Sequence, residues 1–552
     1  MAQGGCHRQF LLQSVWCILL LFGSSPAGDV GRHADKRYND FPYLVSPTCS
    51  AMPSSKPNPF TRSHPMSAEQ VQTTYQQALA CHRRGQGDAA KTLYETVLQA
   101  QPGHIDALYH LGLLALQTGN FLPAAALFGQ AIKLQPNLAQ AYCNRGSALK
   151  ALKRSEEAVA SFQQALALQP DFAEAYSNLA DLFIELGQFD AAITHCDRAI
   201  ALRPNYADAH YNRGVALQKV QRIDEAVASY RQAVALQADD DDAGWNLSLA
   251  LLLSGDFQEG WEMYERRWKA RQFTSSRRDF SQPLWLGQAP LSGKTILLHS
   301  EQGLGDTIQF CRYAKLVAGW GARVILEVPP SLAELLKTLD GVAEIRVKGE
   351  RLPAFDFHCP LLSLPLAFKT TLNTIPRAQQ YLAADEEKRA YWNGRLGERR
   401  KPRVGLAWSG RPTHTNDHNR SLPLAALMQH LPAGYHYVSL QKEVRETDRP
   451  VLDAHPDILY VGGELNDFSD TAALIQCMDL VVCVDTSVAH LSAALGKQTW
   501  IMLPFVPDWR WMLDRDDSPW YPSVRLYRQT QLGDWQAMLC RLNESLCQTV
   551  AR

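Results

Sequence analysis

Between residues 69 and 271 the hydrophobic pattern keeps returning to the same register. Prolines fall at Pro102, Pro136, Pro170 and Pro204, each 34 residues from the last. Ala90, Ala124, Ala158, Ala192 and Ala226 hold a second column. Tyr94, Phe128, Phe162, Cys196 and Tyr230 hold a third, and Ala131, Ala165, Ala199 and Ala233 a fourth. A further column runs Tyr75, Tyr109, Cys143, Ser177, Tyr211 and Trp245. Small residues let paired helices approach, aromatic rings fill the gaps, and proline stops the second helix of each pair. About six repeats are expected. The last, Asp239 to Arg271, carries Gly260 in an alanine column and adds Trp261, Tyr264 and Trp268, which suits a terminal repeat packed on the next domain. A polar linker at 272–291 follows, and the pattern then changes to short apolar runs separated by helical periodicity. The runs predict strands at Thr295–His299, Arg323–Val328, Ile345–Val347 and Phe355–His358 in one half, 292–385. After a linker at 386–400 they predict Val404–Trp408, His436–Leu440, Leu480–Val484 and Thr499–Leu503 in a second half, 401–552. Strand–helix alternation predicts parallel sheets, and two such halves in sequence imply a cleft between their strand ends.

The 34-residue period with small residues at helix contacts is the tetratricopeptide signature. One of its columns is polar: Asn144, Asn178, Asn212 and Asn246 recur in register, with His110 and Gln76 in line. These positions lie on the first helix of each pair. A carboxamide both donates and accepts, so a stacked row can hold an extended peptide by its backbone. The alternative is that each asparagine only satisfies neighbouring groups. The array resembles that of the O-linked N-acetylglucosamine transferases, where such a ladder grips protein substrates, and this likeness implies a protein or peptide acceptor.

Candidate chemistry sits at two strand ends. In the first half, Thr295–Leu298 runs into His299-Ser300-Glu301-Gln302-Gly303-Leu304-Gly305-Asp306-Thr307 and a helix expected over Ile308 to Val317. Gly303 and Gly305 are expected to bring backbone close to a ligand. Asp306 is unusual there, because a helix start attracts anions and a carboxylate repels them. It is either an N-cap or a base aimed into the cleft. In the second half, the buried strand Leu480–Val484 ends at Asp485-Thr486-Ser487-Val488-Ala489-His490, opening a helix that stops at Gly496. The hydroxyls of Thr486 and Ser487 and the free N–H groups of that turn make a diphosphate pocket. His490 lies one turn on, to donate to a phosphate or to the leaving oxygen, or else to serve as a core histidine; Asp485 is a further pocket residue or only an N-cap. Gly410, Arg411 and Arg420 follow Val404–Trp408, and Gln441 and Lys442 end the next strand, where they are expected to meet base or ribose. Pro504, Pro507, Asp508, Trp509 and Trp511 crowd the last strand end, read as packing between the halves or as a sugar platform.

Gly-Leu-Gly-Asp-Thr in the first half with Asp-Thr-Ser-x-x-His-Leu-Ser-x-Ala-Leu-Gly in the second resembles the lipopolysaccharide heptosyltransferase family, of GT-B fold. The likeness covers most of 292–540. It implies Asp306 as catalytic base and Asp485, Thr486, Ser487 and His490 as the nucleotide-diphosphate segment. Ser487 stands where that family has glycine, and Arg420, in Asn419-Arg420-Ser421-Leu422-Pro423, where it has a phosphate-contacting lysine; arginine is a competent, planar phosphate partner. The expected fold is therefore a helical tetratricopeptide solenoid followed by a GT-B pair of α/β domains. The expected function is an inverting, metal-independent transferase that uses a nucleotide sugar as co-substrate and no other cofactor. The competing reading is a tetratricopeptide scaffold with an inactive or nucleotide-sensing GT-B portion.

Composition narrows little further. Hydrophobic residues at 46% and charged residues at 20% suit ordinary globular domains, and a net charge of −1 offers no footprint for nucleic acid. The twelve cysteines lack paired or metal-ligand spacing, so reduced thiols and no metal site are expected. Residues 1–65 read as a leader. Phe10 to Phe22 before Ser25-Pro26-Ala27 resembles a signal peptide, too short for a comfortable membrane span, and 28–65 reads as disordered. The alternative is upstream sequence before a start at Met66, with a cytoplasmic protein; a true signal peptide would instead mean export.

Overall fold

The computed structural model describes residues 66–414 and 416–550. The leader, and the compartment inferred from it, lie outside the described residues. Among the described residues no helix is long and apolar enough to cross a membrane. The chain divides into two compact units, one ending at Leu186 and the other beginning at Gly187.

The first unit holds the helix pairs Ala68–Arg83 with Gly87–Ala100, Ile105–Gln117 with Phe121–Leu134, and Ala139–Ala151 with Ser155–Leu168, then the helix Ala173–Glu185. A capping box opens it: Ser67 Oγ accepts from Gln70 N, and Gln70 Oε1 accepts from Ser67 N. The columns read from the sequence are its core, with Ala90, Ala124, Ala158, Tyr94, Phe128 and Phe162 fully buried. Glycine faces the rings because nothing larger fits: a Cβ on Gly146 would lie 2.7 Å from the Phe162 ring. The asparagine column has a local use here. Asn144 Nδ2 donates to the Tyr109 hydroxyl of the preceding repeat at 3.0 Å, and Asn178 Nδ2 reaches Cys143 Sγ at 3.6 Å.

The second unit begins with the helix Phe189–Leu202 and the pairs Ala207–Lys219 with Ile223–Leu236 and Asp241–Ser254 with Phe257–Tyr264. Asn246 Nδ2 donates to Tyr211 at 2.9 Å, as in the first unit. Among the described residues ten strands follow: β1 Thr295–His299, β2 Arg323–Val328, β3 Glu344–Val347, β4 Phe357–Pro360, β5 Arg403–Ala407, β6 His436–Ser439, β7 Ile458–Tyr460, β8 Leu480–Val484, β9 Thr499–Leu503 and β10 Val524–Arg528. They form two parallel sheets, ordered β3-β2-β1-β4 and β10-β9-β8-β5-β6-β7. Each order reverses between its first and fourth strand in chain order, and in open α/β sheets ligands bind at the carboxyl ends beside that reversal. The points of reversal are β1/β4 and β5/β8.

Two segments expected to be linkers are packed structure. In 272–291, Trp285 is fully buried and its backbone N–H donates to His358 O at 2.9 Å, while His358 N donates to Pro283 O at 3.2 Å, so this stretch lengthens the edge at β4. In 386–400, Glu386–Leu396 is a helix with Trp392 buried; Lys388 pairs with Asp470 at 2.8 Å and Arg395 with Glu464 at 3.0 Å. The altered last repeat is bound into the α/β region. Trp261 Nε1 donates to Thr370 O at 3.1 Å and its ring meets Trp509 at 5.2 Å. Below it the fully buried Arg267 donates to Glu265 (2.6 Å), Glu301 (2.9 Å) and Ser363 Oγ (2.8 Å).

Candidate functional site

The loop after β1 turns into a helix at Leu304–Phe310, four residues before the expected start, and a 3-10 turn at Cys311–Tyr313 separates it from a second helix at Ala314–Gly319. Gly303 is the N-cap, and Asp306 is the third helical residue rather than the cap. Asp306 Oδ2 accepts from Gly303 N at 2.7 Å. The Gly303 N–H therefore serves its own helix and is not offered to a ligand. Asp306 Oδ1 accepts from Arg510 Nη2, on the other half, at 2.5 Å, and the Asp306 side chain keeps 20% of its surface exposed.

Gly305 faces protein, not an open phosphate cradle. A Cβ there would lie 2.8 Å from His490 Cδ2 and 3.5 Å from Ser487 Cα. The helices Leu304–Phe310 and Ser487–Ala494 thus cross where only glycine permits contact, and this brings the two motifs together. Gly305→Ala should force the halves apart at this crossing. His490 is pinned by neighbours and cannot swing away cheaply, so a loss of about 1–3 kcal/mol in unfolding free energy is expected, read by denaturant titration.

On the second half β8 delivers Asp485 and Thr486 at the point of reversal. Thr486, in extended conformation, is the N-cap of Ser487–Ala494; Asp485 is not, and Gly496 beyond the helix end has φ +73°. Among the described residues the buried Thr486 Oγ1 makes no hydrogen bond; Arg420 Nε makes none either, with Asp417 Oδ1 3.8 Å away. Arg420 Nη1 donates to Asp485 O at 3.0 Å. Burial raises the Asp485 carboxyl to about 6, Asp508 adds to this, and Arg420 opposes it. His490 is buried: its ring stacks on Trp511 at 5.3 Å, Nδ1 is hydrogen-bonded to the Tyr521 hydroxyl at 2.9 Å, and Nε2 lies 4.0 Å from Asp485 Oδ1. Burial first, then Arg510, Arg312 and Arg420, hold this imidazole well below its ordinary range. It is neutral near pH 7 and acts there as a hydrogen-bonding group, not as a cation.

The remaining expected residues divide. Gly410 makes room for Arg420, since a Cβ would lie 2.6 Å from Arg420 Nη2; its role is to admit that guanidinium. Gln441 is spent internally. Its Oε1 accepts from Trp408 N (2.8 Å) and Ser409 N (2.9 Å), and its Nε2 donates to Ser409 Oγ (3.0 Å), so it ties β6 to β5 instead of facing base or ribose. Arg411 and Lys442 are exposed, and Lys442 Nζ donates to Asn466 O at 3.1 Å. Two residues at the site escape a reading of the sequence. Arg510 hides between tryptophans whose pattern suggests packing, and Tyr521 lies in a turn. The available signal is an arginine flanked by two tryptophans just past a strand end.

Residues 441–500 match the model of glycosyltransferase family 9 (heptosyltransferase), a segment that contains β8 and Asp485 to His490. Tetratricopeptide models match 75–139, 139–172, 161–194 and 207–240, and a TPR-repeat model matches 180–221. The chain thus carries tetratricopeptide repeats and a segment similar to glycosyltransferase family 9. It is 26% identical over 330 residues to Protein FlbA of Caulobacter vibrioides, covering 54% of this chain and 53% of FlbA. The chain thus spans about half the length of this curated relative. Among solved structures it is similar to MamA (27% identity, 29% of this chain and 94% of that one, TM-score 0.28). It is similar also to a thermophilic TPR protein of Thermus thermophilus (25%, 33% and 99%, TM-score 0.29). YrrB, described as a TPR protein with an unusual peptide-binding site, is 19% identical over 31% of this chain and 89% of its own, TM-score 0.27.

Proposed function

We propose that the chain is a nucleotide-sugar-dependent glycosyltransferase that inverts the anomeric centre and needs no metal. One observation carries this reading: the Asp306 helix and the Thr486–His490 helix, from opposite halves, meet at Gly305. The Asp306 carboxylate and the polar turn opened by Thr486 are thereby brought to neighbouring positions across the crossing. Asp306 takes the proton of an acceptor hydroxyl as general base. The resulting oxygen attacks the anomeric carbon while the bond to the donor's diphosphate breaks. Arg420, Thr486, Ser487 and neutral His490 stabilise the departing negative charge, which is the main electrostatic task. The buried Thr486 Oγ1, which makes no hydrogen bond among the described residues, and Arg420 Nε, whose acidic neighbour Asp417 stays 3.8 Å away, support that assignment, because buried polar atoms without hydrogen bonds are costly and suit a bound polar group. The repeat array recruits the acceptor, a protein segment. Asn144 and Asn246 each use one N–H on a tyrosine hydroxyl, which leaves the carbonyl oxygen and a second N–H for a peptide backbone.

A thermal-shift screen of nucleoside diphosphates and their sugars tests the reading. A ligand at 100 times its Kd stabilises the folded state by roughly 2.7 kcal/mol through mass action. At least one diphosphate should raise the melting temperature by several degrees, and Thr486→Val should diminish the rise. A flat response to every common nucleotide would favour the scaffold reading.

A further inference from the structure

We infer that Arg510 is a positioning residue for Asp306, carried on the loop after β9 and set in place by the last repeat. The inference rests on the transferase reading proposed above. Asp306 is held by its own helix through Oδ2 and by Arg510 through Oδ1. Arg510 is in turn fixed on every side. Nε donates to Gln309 Oε1 at 2.6 Å, Nη1 to Asp508 Oδ1 at 2.9 Å and Nη2 to Asp306, and the guanidinium lies over Trp509 at 4.3 Å and Phe310 at 5.7 Å. Three of the five guanidinium N–H groups serve three different protein oxygens, so the protein fixes its orientation. A planar fork can satisfy three fixed acceptors at once; an ammonium on a flexible stem cannot hold the same geometry.

The loop that carries Arg510 is anchored outside the sheets. Trp509 packs on Trp261 at 5.2 Å and on Tyr264 at 6.4 Å, both in the last repeat. Phe505 O accepts from Gln221 Nε2 one repeat earlier. A continuous path of contacts runs from the repeats through Trp509 and Arg510 to the carboxylate. The added aromatics of the last repeat therefore do more than shield a core: they hold the loop that aims the base.

The test compares wild type with Arg510→Gln and Arg510→Lys in the full chain. Donor hydrolysis is followed with the nucleotide sugar that most raises the melting temperature. In parallel, carbodiimide and glycinamide labelling at one fixed pH reports whether the Asp306 carboxylate is engaged, read on its peptide by mass spectrometry. Arg510→Gln should label several-fold faster at Asp306 and lose about a hundredfold in kcat, with the donor KM within about twofold. Arg510→Lys should recover most of the protection but little of kcat, and it carries the comparison if the glutamine variant does not fold. A raised donor KM with unchanged kcat, or unaltered labelling in both variants, would overturn the inference. A labelling response with no turnover even in wild type would leave the clamp standing and overturn the transferase reading instead.

Discussion

Asp306→Asn is expected to lower transfer by about 10²–10⁴-fold, the usual worth of a positioned general base, while nucleoside-diphosphate affinity stays within about threefold. The separation follows from where the groups come from. Asp306 stands on the first half, whereas Thr486, Ser487, Arg420 and His490 belong to the second, whose helix Ser487–Ala494 crosses Asp306's helix at Gly305. An asparagine keeps the size of the side chain and can still accept from Gly303 N, so the helix start survives. Calorimetric titration with the diphosphate and a turnover assay on the same sample check both halves of the statement. Thr486→Val and His490→Ala should behave in the opposite way, weakening nucleotide binding first. Near-normal turnover in Asp306→Asn would rule out the base.

Arg267→Met is expected to cost about 3–5 kcal/mol of stability, the range for breaking a buried ion pair from one side. The guanidinium is fully buried and is the shared partner of Glu265 and Glu301. Its removal leaves the buried Glu301 and the partly buried Glu265 without their shared cation, between the last repeat and the loop leading to Asp306. Denaturant midpoints at constant slope would report it. The same cluster predicts a pH dependence. Burial raises Glu301 from its ordinary value of 4.5 to about 7, against the pull of Arg267 and with smaller additions from Glu265 and Asp306. A group raised on folding contributes stability that is full below its unfolded value and is lost as pH rises through the folded one. Stability from this group should therefore fall between about pH 4.5 and 7, and Glu301→Gln should flatten that slope.

Much of this is legible in the sequence because it rests on periodicity. The 34-residue columns are the buried faces of helix pairs, and β1, β2, β8 and β9 occur with the bounds their apolar runs indicate. Strands with mixed surroundings are not legible. β7 is three residues long, and β10, Val-Arg-Leu-Tyr-Arg, alternates charge with apolar groups and so has no continuous run. Glycine is the most misleading signal. Gly303, Gly305 and Gly410 stand at strand ends as ligand-cradling glycines do, yet two make room for side chains from elsewhere in the fold and the third caps a helix. Sequence spacing shows that a Cβ is missing, not what occupies its place. The same limit hides Gln441, whose amide at a strand end looks available until β5 and β6 pair and consume it. Arg510 escapes notice because its partners, Asp306 and Gln309, lie some 200 positions away along the chain.

The most direct measurement is a crystal structure of the chain with the nucleoside diphosphate that most raises its melting temperature. The account predicts the diphosphate on the turn opened by Thr486, accepting from Thr486 Oγ1 and Arg420, with its terminal phosphate directed toward Asp306. A nucleotide bound elsewhere, or one whose phosphates face away from Asp306 across the crossing at Gly305, would contradict it.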